Sequence, residues 1–192
     1  MKTVLTIVAV LLLLAVALLG FIFSGVYDVA ASTPDNGLIA WALETTQHRS
    51  VHRAAEAFEE TAKIPDLEDP KRIQNGFVHY YEMCATCHGA PGVPISEIGQ
   101  GLNPYPPELT AHADEPAENF WIVKNGIKMT GMPAFGVTHS DDEIWDIVAF
   151  LNRMPKLSSQ QYQQMIVDAG LMELPPPVTG HTHAPGTPPH QD

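Results

Sequence analysis

The chain has 192 residues, enough for one compact domain with extensions. It carries 22 acidic against 10 basic residues, a net charge of -12, which argues against nucleic acid as a partner because phosphate binding requires basic patches. Such an acidic surface suits a basic protein partner, and it also keeps a protein soluble.

The N-terminus reads MKTVLTIVAVLLLLAVALLGFIFSG, with no charge from Val4 to Phe23. About 20 apolar residues match the roughly 30 Å hydrocarbon core of a bilayer, whereas the apolar part of a cleaved signal is usually about 7 to 15 residues. Residues 1–24 are therefore expected to be a transmembrane anchor, with VAAS at 29–32 leaving an uncleaved or cleaved signal as the other reading. Lys2 precedes the run and no Lys or Arg follows until Arg49, so everything after Phe23 is expected outside the cytoplasm.

Residues 25–68 read as a connector with an amphipathic helix. Val51, Ala54, Ala55, Phe58 and Ala62 recur at spacings of three and four within a helical pattern over 38–62. Its apolar face suits the downstream domain, a partner or the membrane surface. His48 and His52 stand four apart on it, a spacing able to hold one metal ion, although a solvated helix face is the simpler reading. KIPDLEDPK then breaks the pattern with two prolines, and the compact part is placed at 69–173.

Within that part, DPKRIQNGFVHYYEMC starts a helix at Asp-Pro and carries it into the only two cysteines. SDDEIWDIVAFLNRMP places Ser140 three residues before Glu143, a capping box, with Ile144, Ile147, Val148 and Leu151 as its apolar stripe. A further short helix is expected over 158–171. The loops APGVPISEIGQGLNPYPPEL and KNGIKMTGMPAFG are long and rich in Gly and Pro, so they need something besides each other to pack on. The end, 174–192, is Pro-rich and reads as a disordered tail; His181, His183 and His190 lie in it.

Cys84, Cys87 and His88, in CATCH, admit three readings. A disulfide between residues three apart gains little from loop closure. A zinc site needs about four ligands, and only His88 is adjacent, with His79, His112 and His139 elsewhere in the chain. The third reading is one covalent haem c: C-x-x-C-H is its attachment signature, the thiols adding to the two vinyl groups and the histidine meeting the iron. A leading helix, wrapping loops and a downstream second ligand all accompany the motif. Met132 in GMPAFG is the expected second ligand, Gly131 and Pro133 fixing the backbone around it, with Met129 the nearest rival and His112 or His139 a bis-histidine option. A Met/His pair raises the reduction potential.

On GFVHYYEMCATCHG, GMPAFG and EIWDIVAFL, residues 71 to 155 resemble the class I monohaem cytochromes c. The resemblance implies an all-α cytochrome c fold, helices wrapped round one covalent haem, here with an N-terminal transmembrane helix. It implies that Gly76 lets the first helix of the domain cross the last closely, with Phe150 or Trp145 beside Tyr80. It also implies that the carbonyl of Pro107, or less suitably Pro104, accepts a hydrogen bond from His88, and that Tyr105, Trp121, Ile127 and Phe135 line the haem. The anchor resembles that of bacterial membrane-anchored cytochromes. The expected function is one-electron transfer with no catalysis of its own, by a carrier or a subunit of a respiratory complex at the periplasmic face of a bacterial inner membrane. A membrane dehydrogenase or terminal oxidase is the expected partner. The competing function is a haem sensor or small-ligand binder, which requires a labile Met132.

Overall fold

A computed structural model describes residues 1–111 and 115–171. The expectations for His112 and for the tail with His181, His183 and His190 lie outside these residues. The chain divides into two compact units, one from Met1 to Asp35 and one from Asn36 onward.

In the first unit, α1 (Lys2–Ser24) is long and apolar enough to cross a membrane, and Gly25 ends it in a left-handed conformation at φ 66°. The connector after it closes on itself. Tyr27 stands edge-on to Phe21 and donates from its hydroxyl to Asp35 Oδ1 at 3.0 Å, while Asp28 accepts from the Ala30 amide and the Thr33 hydroxyl.

Among its described residues, the second unit has helices as its regular elements, joined by loops. It runs through α2 (Gly37–Glu59), α3 (Pro70–His79), a wide π turn (Tyr80–Cys84), α4 (Ala85–His88), α5 (Glu97–Gln100), α6 (Pro116–Asn125), α7 (Asp141–Arg153) and α8 (Ser159–Asp168). The starts are chemically explicit. Asn36, Asp69, Ser96, Ser140 and Ser158 each accept a hydrogen bond from an amide of the first turn, satisfying donors that have no partner within the helix. Ser140 with Glu143, and Ser158 with Gln161, make full capping boxes. The helices over 38–62 and 158–171 are both present, each shorter than its sequence pattern by a few residues, as frayed ends commonly are.

The core is the crossing of α3 over α7. Gly76 sits against the backbone of Asp146 so closely that a Cβ there would overlap the Asp146 carbonyl. Around this contact Phe77, Tyr80, Ile144, Ile147, Val148 and Phe150 are fully buried. Phe150 lies 5.2 Å from the Tyr80 ring, as one of the two implied partners. Trp145 is elsewhere: it stacks on Phe120 of α6 at 4.3 Å and on Phe58 of α2 at 6.2 Å. An ionic clasp reinforces the crossing. Arg72 reaches Asp142 at 2.7 Å and Asp146 at 2.6 Å, and Asn75 donates to the other Asp146 oxygen. Asp146 is buried and so needs all of these partners.

The second half of α2 chooses among its three sequence options by packing on α6 and α7. Val51 and Ala55 are buried, and Phe58 stacks on Phe120 at 4.7 Å. His52 is engaged by Glu118 of α6 at 2.9 Å and Glu56 at 3.4 Å, partners that compete with any shared ion on His48.

Two predictions follow from these contacts. Gly76→Ala must force α3 and α7 apart, and overpacking of this kind costs about 1–3 kcal/mol; thermal unfolding followed by circular dichroism should show a melting temperature lower by several degrees. At the α7 start, hydrogen bonds from the Ser140 amide and hydroxyl hold the Glu143 carboxyl below its ordinary range. A lowered folded-state value means that this stabilisation is present above the unfolded carboxylate range and fades as pH falls through it. Glu143→Gln should therefore lower stability at neutral pH, leave the acid end of a stability-against-pH curve nearly unchanged, and so flatten the limb between them.

Candidate functional site

The site is built where the leading helix ends. Past His79 the backbone widens into the π turn and then tightens again through Ala85–His88. Wide turns of this kind add a residue to a helix and re-aim the side chains beyond it, and they are common at functional sites. Tyr80, fully buried, donates from its hydroxyl to the Gly89 carbonyl at 2.6 Å and so braces the turn from start to finish. Gly89 itself has φ 68°, left-handed, and a Cβ there would meet the Val93 carbonyl. Ala90 and Val93 then exchange two 2.8 Å backbone bonds, closing the tight loop after His88.

Both cysteines are free thiols, Cys84 buried and Cys87 half-buried. Burial, with a smaller contribution from Cys87, pushes the Cys84 thiol up to about 12. Among the described residues no three His, Cys, Asp or Glu side chains gather in a way that could hold a metal ion. The zinc reading therefore lacks its ligands there.

His88 Nδ1 lies 2.8 Å from the Pro107 carbonyl oxygen. A carbonyl can only accept, so Nδ1 carries the proton and Nε2 keeps its lone pair. Desolvation lowers the pKa of His88, and the bond to Pro107 opposes that shift. A cavity of about 370 Å³ opens beside the ring, lined by His88, Ala90, Val93, Ile95, Glu108 and Thr110 among others. These features meet what a covalent haem demands of a protein: two unpaired thiols one helical turn apart and an imidazole whose remaining nitrogen is free to bind iron, oriented through its other nitrogen.

Met132 stands on the other loop, half-buried and packed against the core. Its carbonyl accepts from the Ile127 amide at 3.2 Å, and its own amide donates to Thr130 Oγ1 at 3.1 Å, so the turn carrying it is closed on both sides. Gly126, left-handed at φ 65°, lies directly against the backbone of Met132 and Pro133. Met129, the rival, is 96% exposed, on a backbone with φ 62°.

The remaining sequence candidates divide by environment. Phe135 is half-buried, packed on the core and edge-on to His139 at 5.7 Å. Trp121 is half-buried on α6, its carbonyl accepting from Asn125. Tyr105 is 56% exposed, two residues before Pro107. His139 pairs with Thr138 through Nδ1 at 2.9 Å and stands edge-on to His79 at 5.2 Å.

Sequence reasoning missed the element that joins the two loops. Gly99 of α5 lies where a Cβ would press on the Cys87 backbone, and the Ser96 amide donates to the Thr86 carbonyl. Three residues on, the Leu102 side chain fills the space a Cβ on Gly131 would take. The segment 96–102 thus touches the cysteine turn at one end and the neighbour of Met132 at the other. Its only sequence signal was EIGQGL, two glycines in a region already full of them.

One measurement tests the brace without reference to any cofactor. Tyr80→Phe leaves the Gly89 carbonyl buried and unpaired, a change that costs about 1–3 kcal/mol. Denaturant unfolding should show that loss as a lower midpoint with an unchanged slope.

Residues 71–151 match the family model described as cytochrome C oxidase, cbb3-type, subunit III. No curated protein matches the chain.

Proposed function

From the premise that this chain carries a monohaem class I cytochrome c domain behind an N-terminal apolar helix, we propose that it is a membrane-tethered one-electron carrier or the haem subunit of a respiratory complex. Membership of that domain class implies electron transfer and covalent haem c. The finer assignment rests above all on the bond from His88 to the Pro107 carbonyl, which leaves the ring with one free nitrogen directly after two free thiols.

In this reading Cys84 and Cys87 would hold the haem through thioether bonds, His88 Nε2 and the Met132 sulfur would bind its iron, and residues 69–173 would form the domain that encloses it. When bound, the haem supplies a ferric/ferrous couple, and a Met/His ligand set raises its potential relative to other sets. The protein's own part is positional. Pro107 orients the imidazole, Tyr80 braces the cysteine turn, and Leu102 packs against Gly131 to steady the methionine loop. Tyr105, Trp121 and Phe135 serve as the haem wall. With His88 and Met132 both bound to the iron, no position would be left for substrate chemistry, which fits a carrier and not a catalyst.

The apolar helix admits an anchor or a signal sequence. We take it as a retained single-pass anchor in a bacterial inner membrane, with the haem domain on the periplasmic side. The matched family is that of an oxidase subunit, which supports an oxidase-related redox partner, a terminal oxidase ahead of a membrane dehydrogenase. The docking surface would be the haem edge framed by residues 89–92 and 131–136. Redox encounters use small interfaces, and tethering raises the effective concentration near a membrane partner.

The test is spectroscopic. Denatured, acid-acetone-washed protein should keep its pink colour, and replacing both Cys84 and Cys87 by Ala should abolish it. Met132→Ala should erase the weak red sulfur-to-iron band and open the ferrous protein to carbon monoxide, which the unaltered protein should resist. Colour lost on washing would overturn the covalent assignment, and a band that survives the substitution would overturn Met132. Rapid, complete carbon monoxide binding by the unaltered protein would favour a sensor instead.

A further inference from the structure

α2 is two different surfaces in one helix. Its second half is committed to α6 and α7 through Val51, Ala55 and Phe58. Its first two turns, GLIAWAL, carry no charge before Glu44, and there Leu38, Trp41 and Leu43 are 70%, 62% and 61% exposed. Three large apolar side chains in open water at the start of a helix are a cost unless something covers them.

What covers them is indicated by the chain immediately before. α1 is 23 residues long, about 34 Å at 1.5 Å per residue, enough to cross a bilayer and emerge near Ser24. The connector that follows is not paid out as a free tether. Tyr27 folds against Phe21 of α1 and bonds to Asp35, so eight residues of chain return almost to where they began. Leu38 lies three residues beyond Asp35, and three residues reach at most about 11 Å. Chain length alone therefore holds the first turn of α2 close to the point where α1 leaves the hydrocarbon.

We propose that the first two turns of α2, Leu38 to Leu43, lie in the headgroup and upper acyl region of the same membrane that α1 crosses, with Trp41 as the interfacial anchor. Trp is favoured at that depth because its ring is apolar while its N–H still reaches water or a headgroup. Short apolar helix faces insert about 5–10 Å at this boundary. Attraction to anionic lipid is not the driving force, since the chain is acidic overall and the segment itself is uncharged. The consequence is functional: a second membrane contact, rigidly continuous with the half of α2 that packs on α6 and α7, restricts how the haem domain is presented to a membrane partner. The inference rests on the reading of α1 as a retained anchor.

The experiment uses the full-length haem-loaded protein in phosphatidylcholine vesicles, with bromine on the acyl chains either near the headgroup or near the bilayer centre. Emission from Trp41 is isolated as the difference between the unaltered protein and Trp41→Phe, since Trp121 and Trp145 remain in both. The shallow bromine should quench this difference at least about twofold more than the deep bromine, as expected for a helix at the acyl boundary. Adding Leu38→Glu and Leu43→Glu should remove the quenching and leave the haem spectrum unchanged. Trp41 emission insensitive to both lipids, in protein that stays with the vesicles through an alkaline wash, would overturn the interfacial placement and leave the anchor standing, and would direct attention to a protein partner. Release of the protein by that wash would overturn the anchor, and the placement with it.

Discussion

The backbone of α3 touches the backbone of α7 at Gly76 and Asp146, and the packing around the cysteine turn takes its position from that contact. Two helices normally pack about 8–10 Å apart, separated by their side chains. Removing the side chain at one position lets the axes approach, and the flanking Phe77, Tyr80 and Phe150 then pack around a fixed point. Because α3 runs on through the π turn into Cys84 and Cys87, the crossing sets where the thiols emerge. Because α7 begins six residues before Asp146 at the Ser140 cap, it also sets where the methionine loop must end. The clasp of Arg72 with Asp142 and Asp146 fixes the angle that van der Waals contact alone leaves soft.

From there the site is organised mainly by backbone groups. The Gly89 carbonyl receives Tyr80, the Pro107 carbonyl receives His88, and Gly99 and Gly126 are small because backbone lies against them. Loops this poor in secondary structure would be mobile if their polar groups faced water alone. Here the carbonyls do two jobs, satisfying their own hydrogen-bonding need and orienting a side chain. An imidazole held through Nδ1 keeps one tautomer and one direction, with Nε2 left as its one free nitrogen.

α2 extends this logic beyond the residues that match the family model. Its second half adds Phe58 to the stack of Phe120 and Trp145, so the helix is part of the folded unit and not a loose tether. Trp145, which the family resemblance offered as a partner for Tyr80, is drawn to that stack instead. Phe150 then has the Tyr80 contact to itself. An added helix outside the matched residues thus contributes to the surroundings of a residue inside them.

The local features were legible in the sequence because they depend on neighbours in the chain. C-x-x-C-H, the Asp-Pro start of α3, the capping boxes at Ser140 and Ser158, the proline that follows α7, and the apolar length of α1 are all short-range patterns. Each is fixed by bonds or periodicity within a few residues. The crossing at Gly76 and the role of Pro107 were legible only through family resemblance, since nothing in their own surroundings distinguishes them from other glycines and prolines. What only the tertiary structure decided are meetings between distant segments: Phe58 with Phe120, Gly99 with Cys87, Leu102 with Gly131, Tyr80 with the far end of the cysteine turn. A residue in a Gly- and Pro-rich loop has no periodicity to announce its partner. Its place follows from which surfaces remain once the helices have packed, and that is a property of the whole chain.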